Sequence, residues 1–338
     1  MTTGDSAERP TRPLLEWVLQ KFPDTPRKRA KQWILAGRVS IEGVVIRQPN
    51  TRIPNPSNTL ELLDRSAMAL DCGPDGWQIH PRVAILYLDA ALGVVNKGPG
   101  LLSVPAQFDD LSALSILADF LSGKLRARDR GVAGRSLPPA YHRLVPLPVH
   151  RLDQYTSGVF CMAMDPAARQ RLIDQLKIHS MKREYVAFVE GRPPQPKGTW
   201  RNWLKLSADE LRQFVVSDAG SRAAKAEVLE AVTHYEIIAE FPLAGSRDVV
   251  TKLRLRLETG RKHQIRAQAA HAGLPLVGDR TYHQKPPKPA GIDFPRQALH
   301  AEVLSLDHPA KPDTRMTWTA AMPKDLLELE AALRAGRT

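Results

Sequence analysis

The sequence predicts an α+β protein, on three observations. Strands and helices alternate along the chain without the regular βαβ spacing of a parallel sheet. Residues 159–164 are almost unbroken in apolar character, as in a strand buried on both faces. Residues 251–260, T-K-L-R-L-R-L-E-T-G, alternate strictly: Leu253, Leu255 and Leu257 on one side, Lys252, Arg254 and Arg256 on the other. That is a half-buried strand with a cationic outer face.

A chain of 338 residues holds a main domain and a smaller one. It carries 48 Lys and Arg against 36 Asp and Glu, a net charge of +12, which favours a polyanionic partner, nucleic acid first among them. Cys72 and Cys161 lie far apart and outside any C-x-x-C, so neither a disulfide framework nor a thiolate zinc site is expected. No run of about 18 apolar residues is present, and the polar start M-T-T-G-D-S-A-E-R-P lacks a signal-peptide core. A soluble, cytoplasmic protein is expected.

In chain order, residues 1–12 read as a disordered tail. Leu14, Leu15, Val18 and Leu19 fall at helix spacing and Pro23 stops the run. A second helix opens at Thr25-Pro26 and ends by Gly37; it carries Arg27, Lys28, Arg29 and Lys31 within five positions, with Arg38 just beyond. Such a face suits phosphate contact as well as plain solvation. Strands at 39–41, 44–46 and 59–63 complete a unit assigned to residues 13–64. The cluster Gly73-Pro74-Asp75-Gly76 marks 65–80 as a linker. The remainder, 81–338, is expected to form one larger domain.

That domain opens with strands at 83–88 and 93–97, turning near Asp89. A helix over 111–125 has Ser112 as a possible cap. The following stretch to 148 is rich in Arg and Pro, suiting either an RNA-touching loop or a tolerated surface insertion. Asp165-Pro166 caps and starts a helix that buries Leu172, Ile173 and Leu176. A strand follows at 181–191, and less distinct ones near 214–216 and 226–229. Thr259 is expected to begin a helix over 261–271 with Ile265, Ala269 and Ala272 inward. A final helix from Pro323 presents Leu326, Leu327, Leu329 and Leu333 and ends at Gly336.

The chemistry centres on the run H-R-L-D-Q-Y-T-S-G at 150–158, which delivers Asp153 on a loop just before the buried strand. On spacing alone, Arg151 and Asp153 are open between a loop salt bridge and a catalytic acid. A kinase is rejected: Leu152 interrupts H-R-D, and no G-x-G-x-x-G precedes it. No Walker phosphate loop is present, and His263 has only the distant His271 for a metal partner.

The run resembles, almost letter for letter, the H-R-L-D-x-x-T-S-G signature of the RluA-type pseudouridine synthases. T-G-R-K-H-Q-I-R at 259–266, G-x-P-L-V-G-D-x-x-Y at 273–282, and L-H-A with H-P between 299 and 309 match the same family in the same order. Tyr185 and Ala187 resemble the Y-x-A of its K-x-Y-x-A segment, with Lys182 one position further ahead of the tyrosine than the pattern's lysine. The family's N-K-P-x-G appears here as N-K-G-P-G, with the proline displaced. The helix–helix–hairpin at the start resembles the S4 RNA-binding module, through Arg27, Arg29, Ile34, Gly37, Arg38, Val39 and Gly43.

The resemblance implies a mixed, mainly antiparallel sheet crossed by a cleft, and isomerisation of uridine in RNA without cofactor or metal. It implies Asp153 as the catalytic carboxylate, Arg261 as the guanidinium that keeps it ionised, and Tyr185 packed on the target base. His150, Thr156 and Leu299 would line the pocket. Arg151 would fill the space left by a flipped base, and Arg27, Lys28, Arg29, Lys31 and Arg38 would hold RNA. Ribosomal RNA is favoured over transfer RNA by the S4-like unit, and a monomer is the default. The competing readings are a non-catalytic RNA-binding or ribosome-assembly factor and an N-glycosidase.

Overall fold

The computed structural model describes residues 11–336, apart from 36–37, 43, 47, 57–58, 63–68, 108, 125–136, 138, 210–211, 217–227, 244–247 and 284–291. The apolar spacing of the first segment forms α1 (Leu14–Lys21) and α2 (Arg27–Leu35). Leu14, Leu15, Val18, Ala30 and Ile34 make their common core. A short pair joins β1 (Arg12–Pro13) to β4 (Arg52–Ile53), and a small sheet has β2 (Val39–Ile41) between β3 (Val44–Val45) and β5 (Leu60–Leu62). Arg27, Lys28, Arg29 and Lys31 are exposed, and Arg29 and Arg38 both lie over the Trp33 ring. Gly37 and Gly43 lie outside the described residues.

Residues 70–80 correct the expected linker. β6 (Leu70–Asp71) and β7 (Trp77–His80) pair with β8 (Val83–Leu88), so this stretch belongs to the main sheet. Its two glycines, Gly73 and Gly76, take the positive φ of a tight turn between strands. β8 turns at Asp89 into β9 (Leu92–Lys97). α3 (Ala113–Leu121) starts at a capping box in which Ser112 accepts from the Ser115 N–H and Ser115 answers the Ser112 N–H. Much of the basic stretch after it lies outside the described residues.

The remaining elements are β10 (Leu147–Pro148), β11 (Ser157–Ala163), α4 (Pro166–Lys177), β12 (Lys182–Glu190), β13 (Lys197–Leu206), β14 (Gln213–Val216), β15 (Val228–Pro242) and β16 (Val249–Leu257). They are followed by α5 (Gln264–His271), β17 (Leu299–Asp307), β18 (Arg315–Thr319) and α6 (Lys324–Arg334). The main sheet runs β14-β13-β15-β16-β12-β17-β11-β9-β8-β6 and is antiparallel except for β11 against β17. It is mixed and mainly antiparallel, as expected.

At that parallel contact Gly158 has φ +120°, and a Cβ there would lie 2.1 Å from the Ala301 carbonyl oxygen. The T-S-G glycine is a close-approach residue. β11 is buried along its whole length. Phe160 and Met162 meet Ile116, Leu117 and Phe120 of α3 on one side; Val159 and Cys161 meet Ala168 and Leu172 of α4 on the other. Cys161 is a core residue. α6 buries Leu326, Leu329 and Leu333, whereas Leu327, expected inward, is exposed. Ala272 is likewise exposed, because α5 ends before it. No helix among the described residues is long and apolar enough to cross a membrane.

Candidate active site

Asp153 sits on the loop between β10 and β11, and that loop is fixed through its backbone. The Ser103 hydroxyl accepts from the Leu152 N–H at 3.0 Å and donates to the Leu152 carbonyl at 2.9 Å. The Lys97 ammonium is buried and donates to the carbonyls of Gly98, Leu101 and Gln154 at 3.0, 2.9 and 3.0 Å. Arg296, itself forked onto Asp325, donates to the carbonyls of Tyr155 and Leu299. The Thr156 N–H closes the turn onto the Asp153 carbonyl at 3.0 Å. A loop clamped at both flanks presents its carboxylate in a set direction.

Burial draws the Lys97 pKa down to about 7, with Asp153 opposing. The departure N-K-G-P-G has a structural counterpart nearby. The Gly98 N–H donates to the Arg82 carbonyl at 2.7 Å, a bond that proline at this position could not make.

The carboxylate opens into a cavity of about 690 Å³ lined by Arg151, Thr156, Arg183, Tyr185, Arg266 and Leu299, among others. Its Oδ2 lies 3.4 Å from Arg266 Nη1. The same guanidinium forks onto Asp279 at 2.6 Å (Nε to Oδ2) and 2.8 Å (Nη2 to Oδ1), and lies over the Tyr282 ring at 5.1 Å. Burial opposes the Arg266 charge, but Asp279 and Asp153 outweigh it and hold its pKa above the ordinary value.

This corrects the expectation for Arg261. Arg261 lines the cavity, but it is exposed and its Nε donates to the Glu230 carbonyl at 3.1 Å. The physical reason is the position of the helix start. Gln264 folds back so that its Oε1 accepts from the Thr259 hydroxyl and the Arg261 N–H, while its Nε2 donates to Val232 and Thr233. Residues 259–263 thereby form a turn ahead of α5, which begins at Gln264 and not at 261. Arg266 then falls in the first turn, facing Asp153. Its partner Asp279 was visible in the G-D-x-x-Y motif, and that acid is the signal that singles out Arg266.

His263 ends the turn in the left-handed backbone region at φ 52°. Its Nδ1 lies 3.1 Å from the Tyr282 hydroxyl, and its Nε2 stands 3.9 Å from Asp153 Oδ1. Burial lowers its pKa against the pull of Asp153, which favours the neutral imidazole. Tyr185, on β12, is 7% exposed and forms part of the cavity wall with Leu299 and Leu257. Burial raises its phenol pKa.

His150 lines the cavity, but its Nε2 accepts from the Cys161 N–H at 3.2 Å and its ring stands edge-on to Phe160. Burial, aided by the Arg183 charge, takes its pKa to about 3, so it is a neutral brace. Thr156 is buried, with its hydroxyl accepting from Gln297 at 3.4 Å. Arg151 is exposed at the mouth. Arg27, Lys28, Arg29, Lys31 and Arg38 are outside this cavity.

One carboxylate beside a buried guanidinium, with a tyrosine in the cavity wall, is an arrangement suited to covalent or proton-transfer catalysis by the carboxylate. The chain belongs to the RNA pseudouridylate synthase family, which it matches over residues 92–271, and residues 12–57 match the S4 domain. It is an isomerase acting on uridine in RNA.

It is 32% identical over 328 residues to the ribosomal large subunit pseudouridine synthase D of Yersinia pestis, covering 94% of this chain and 90% of the relative. The same enzyme of Pseudomonas aeruginosa is 31% identical, at 94% and 91% coverage. The solved structure of human RNA pseudouridylate synthase domain containing 4 aligns with a TM-score of 0.52 at 23% identity, covering 74% of this chain and 92% of that one, which supports the fold.

Proposed function

We propose that this chain converts a uridine of large-subunit ribosomal RNA to pseudouridine, with Asp153 as the catalytic carboxylate, and that it works as a monomer in the cytoplasm. The observation that carries the reading is the Asp153–Arg266 contact at the cavity mouth, in a chain whose relatives named above are ribosomal large subunit enzymes. The reaction breaks the C1′–N1 bond, turns the base and joins C1′ to C5. C5 gives up a proton and N1 gains one, so the product is an isomer. Asp153 serves as nucleophile or as stabiliser of the sugar intermediate.

A carboxylate in a cleft that closes on its substrate needs a fixed positive neighbour to stay ionised, and Arg266 supplies it. Tyr185 packs on the extruded base. Flipping the uridine costs a few kcal/mol, roughly. Arg151, exposed beside Asp153, enters the vacated stack, and Arg27, Lys28, Arg29, Lys31 and Arg38 contribute phosphate contacts that offset the cost.

The substrate assignment is tested by treating separate transcripts of large-subunit RNA, small-subunit RNA and transfer RNA with the enzyme, then mapping pseudouridine. Modification at a fixed position of the large-subunit transcript is expected. Modification confined to transfer RNA would refute the assignment while leaving the reaction intact.

A further inference from the structure

Arg183 has no place in the mechanism above, yet it is a charge on the cavity wall. It is 8% exposed, on β12 two residues before Tyr185, and it lines the same cavity as Asp153. Among the described residues no carboxylate lies within ion-pair distance of it. Its Nη2 donates to two backbone carbonyls, Glu258 and Thr259, each at 3.2 Å, and its Nε is buried without a hydrogen-bond partner. Burial lowers its pKa, with Tyr185 and Cys161 opposing. A guanidinium this buried carries a desolvation cost that neutral carbonyls offset only in part. An oxygen acceptor entering the cavity would meet Nη1, which makes no hydrogen bond among the described residues.

The neighbouring motif points the same way. A Cβ on Gly260 would lie 2.3 Å from Arg183 Nη1. The glycine of T-G-R therefore leaves room for the outer nitrogen of this guanidinium. Its φ is not in the left-handed region, so space and not backbone conformation explains it.

We propose that Arg183 binds a uracil carbonyl oxygen of the flipped uridine and stabilises the charge that reaches it when the glycosidic bond breaks. The inference rests on the uridine-isomerising activity. When C1′–N1 breaks, its electron pair leaves with the base and spreads from N1 onto the ring oxygens, while the sugar carbon is taken up at Asp153 or as a sugar intermediate. The charge is withdrawn again when C5 bonds to C1′, the C5 proton is lost and N1 is protonated. A fixed donor aimed at that transient charge acts more strongly in the transition state than on the neutral base. A phosphodiester offers similar oxygen chemistry, but the placement favours the base. Arg183 is buried beside Tyr185, whereas the exposed Arg151 and Arg261 are better placed to meet the backbone.

The test uses the full chain with the large-subunit RNA transcript, measuring single-turnover rate at saturating enzyme, Kd against salt, and melting temperature. For Arg183→Met the rate is expected to fall about 10²-fold, with Kd nearly unchanged and the salt slope unaltered. Arg183→Lys restores part of the rate by keeping the charge. A variant with wild-type rate overturns the proposal.

So does a weakened Kd with a salt slope shallower by about 0.7–0.9, the signature of one lost phosphate contact, if the saturated rate is intact. Should Arg183→Met fail to fold, Gly260→Ala pushes on Nη1 while the carbonyl bonds remain. A several-fold rate loss at unchanged melting temperature is then expected, and full turnover contradicts the role. Wild-type turnover in the same assay separates failure of this proposal from failure of the reaction assignment.

Discussion

Arg266 is held between two carboxylates, 3.4 Å from Asp153 on one side and forked onto Asp279 at 2.6 and 2.8 Å on the other. The shorter fork sets the direction of the guanidinium, and the longer contact is the one on the cavity lining. Lysine has no planar fork to satisfy both acids at once. Arg266→Lys should therefore lower the single-turnover rate at least about 10²-fold, the scale of a misplaced catalytic contact. Asp279→Ala breaks a buried pair and should cost about 3–5 kcal/mol of stability as well as rate. Arg261→Ala should do much less to the rate at saturating RNA; parity with the Arg266 variant would reverse the assignment.

Lys97 gives a pH dependence of stated sign. Its three carbonyl partners use all three donors of an ammonium, and its pKa is drawn down to about 7 by burial. As pH rises through that value, one carbonyl is left facing a lone pair and the Asp153 loop loses part of its clamp. Turnover is expected to decline above about pH 7 on this account. Lys97→Met should be slow at every pH and lack that limb. A pH–rate curve of unchanged shape in the variant would show that Lys97 does not titrate in this range.

Tyr185 can be divided into ring and hydroxyl. Tyr185→Phe keeps the ring face in the cavity wall, the face proposed to pack on the base, and should retain most activity. Tyr185→Ala should lose about 1–3 kcal/mol of stacking, read as an about 5- to 150-fold weaker interaction with the transition state, with kcat/KM as the measurement. Equal losses in both variants would move the importance to the hydroxyl.

His300 makes stability pH-dependent. Its Nε2–H donates to the Ala320 carbonyl at 2.9 Å, its Nδ1 lies 3.0 Å from the Ser157 hydroxyl, and burial pulls its pKa down to about 4. Above the unfolded value of about 6.5, both states hold a neutral ring. Below it the unfolded chain takes a proton that the native state refuses, so stability falls between roughly pH 6.5 and 4, at up to about 1.4 kcal/mol per pH unit. Denaturation of wild type and His300→Asn at pH 7 and pH 5 checks this. The variant should lose less on acidification.

The elements with local chemistry were legible in the sequence. Ser112 and Asp165 both cap the helices they precede, and the apolar run after Asp153 is the fully buried β11. The glycines of 73–76 misled, because a turn cluster marks a hairpin as readily as a linker; Trp77 and Ile79, buried in alternation on β7, were the missed signal. Arg261 misled because a one-dimensional motif does not reveal that Gln264 folds back and delays the helix.

The clamps on the Asp153 loop were not readable at all. Ser103, Lys97 and Arg296 reach it across 49, 57 and 141 residues. Only the folded sheet brings them together.

Asp153 is the residue proposed to carry the chemistry. Tritium release from large-subunit RNA labelled at uridine C5, compared between wild type and Asp153→Asn, tests it most directly. Release is expected from the wild type and none above background from the variant, with RNA binding and melting temperature close to wild type. Release by Asp153→Asn at a rate near wild type would overturn the assignment, because a residue that can be neutralised without loss is not the catalytic carboxylate.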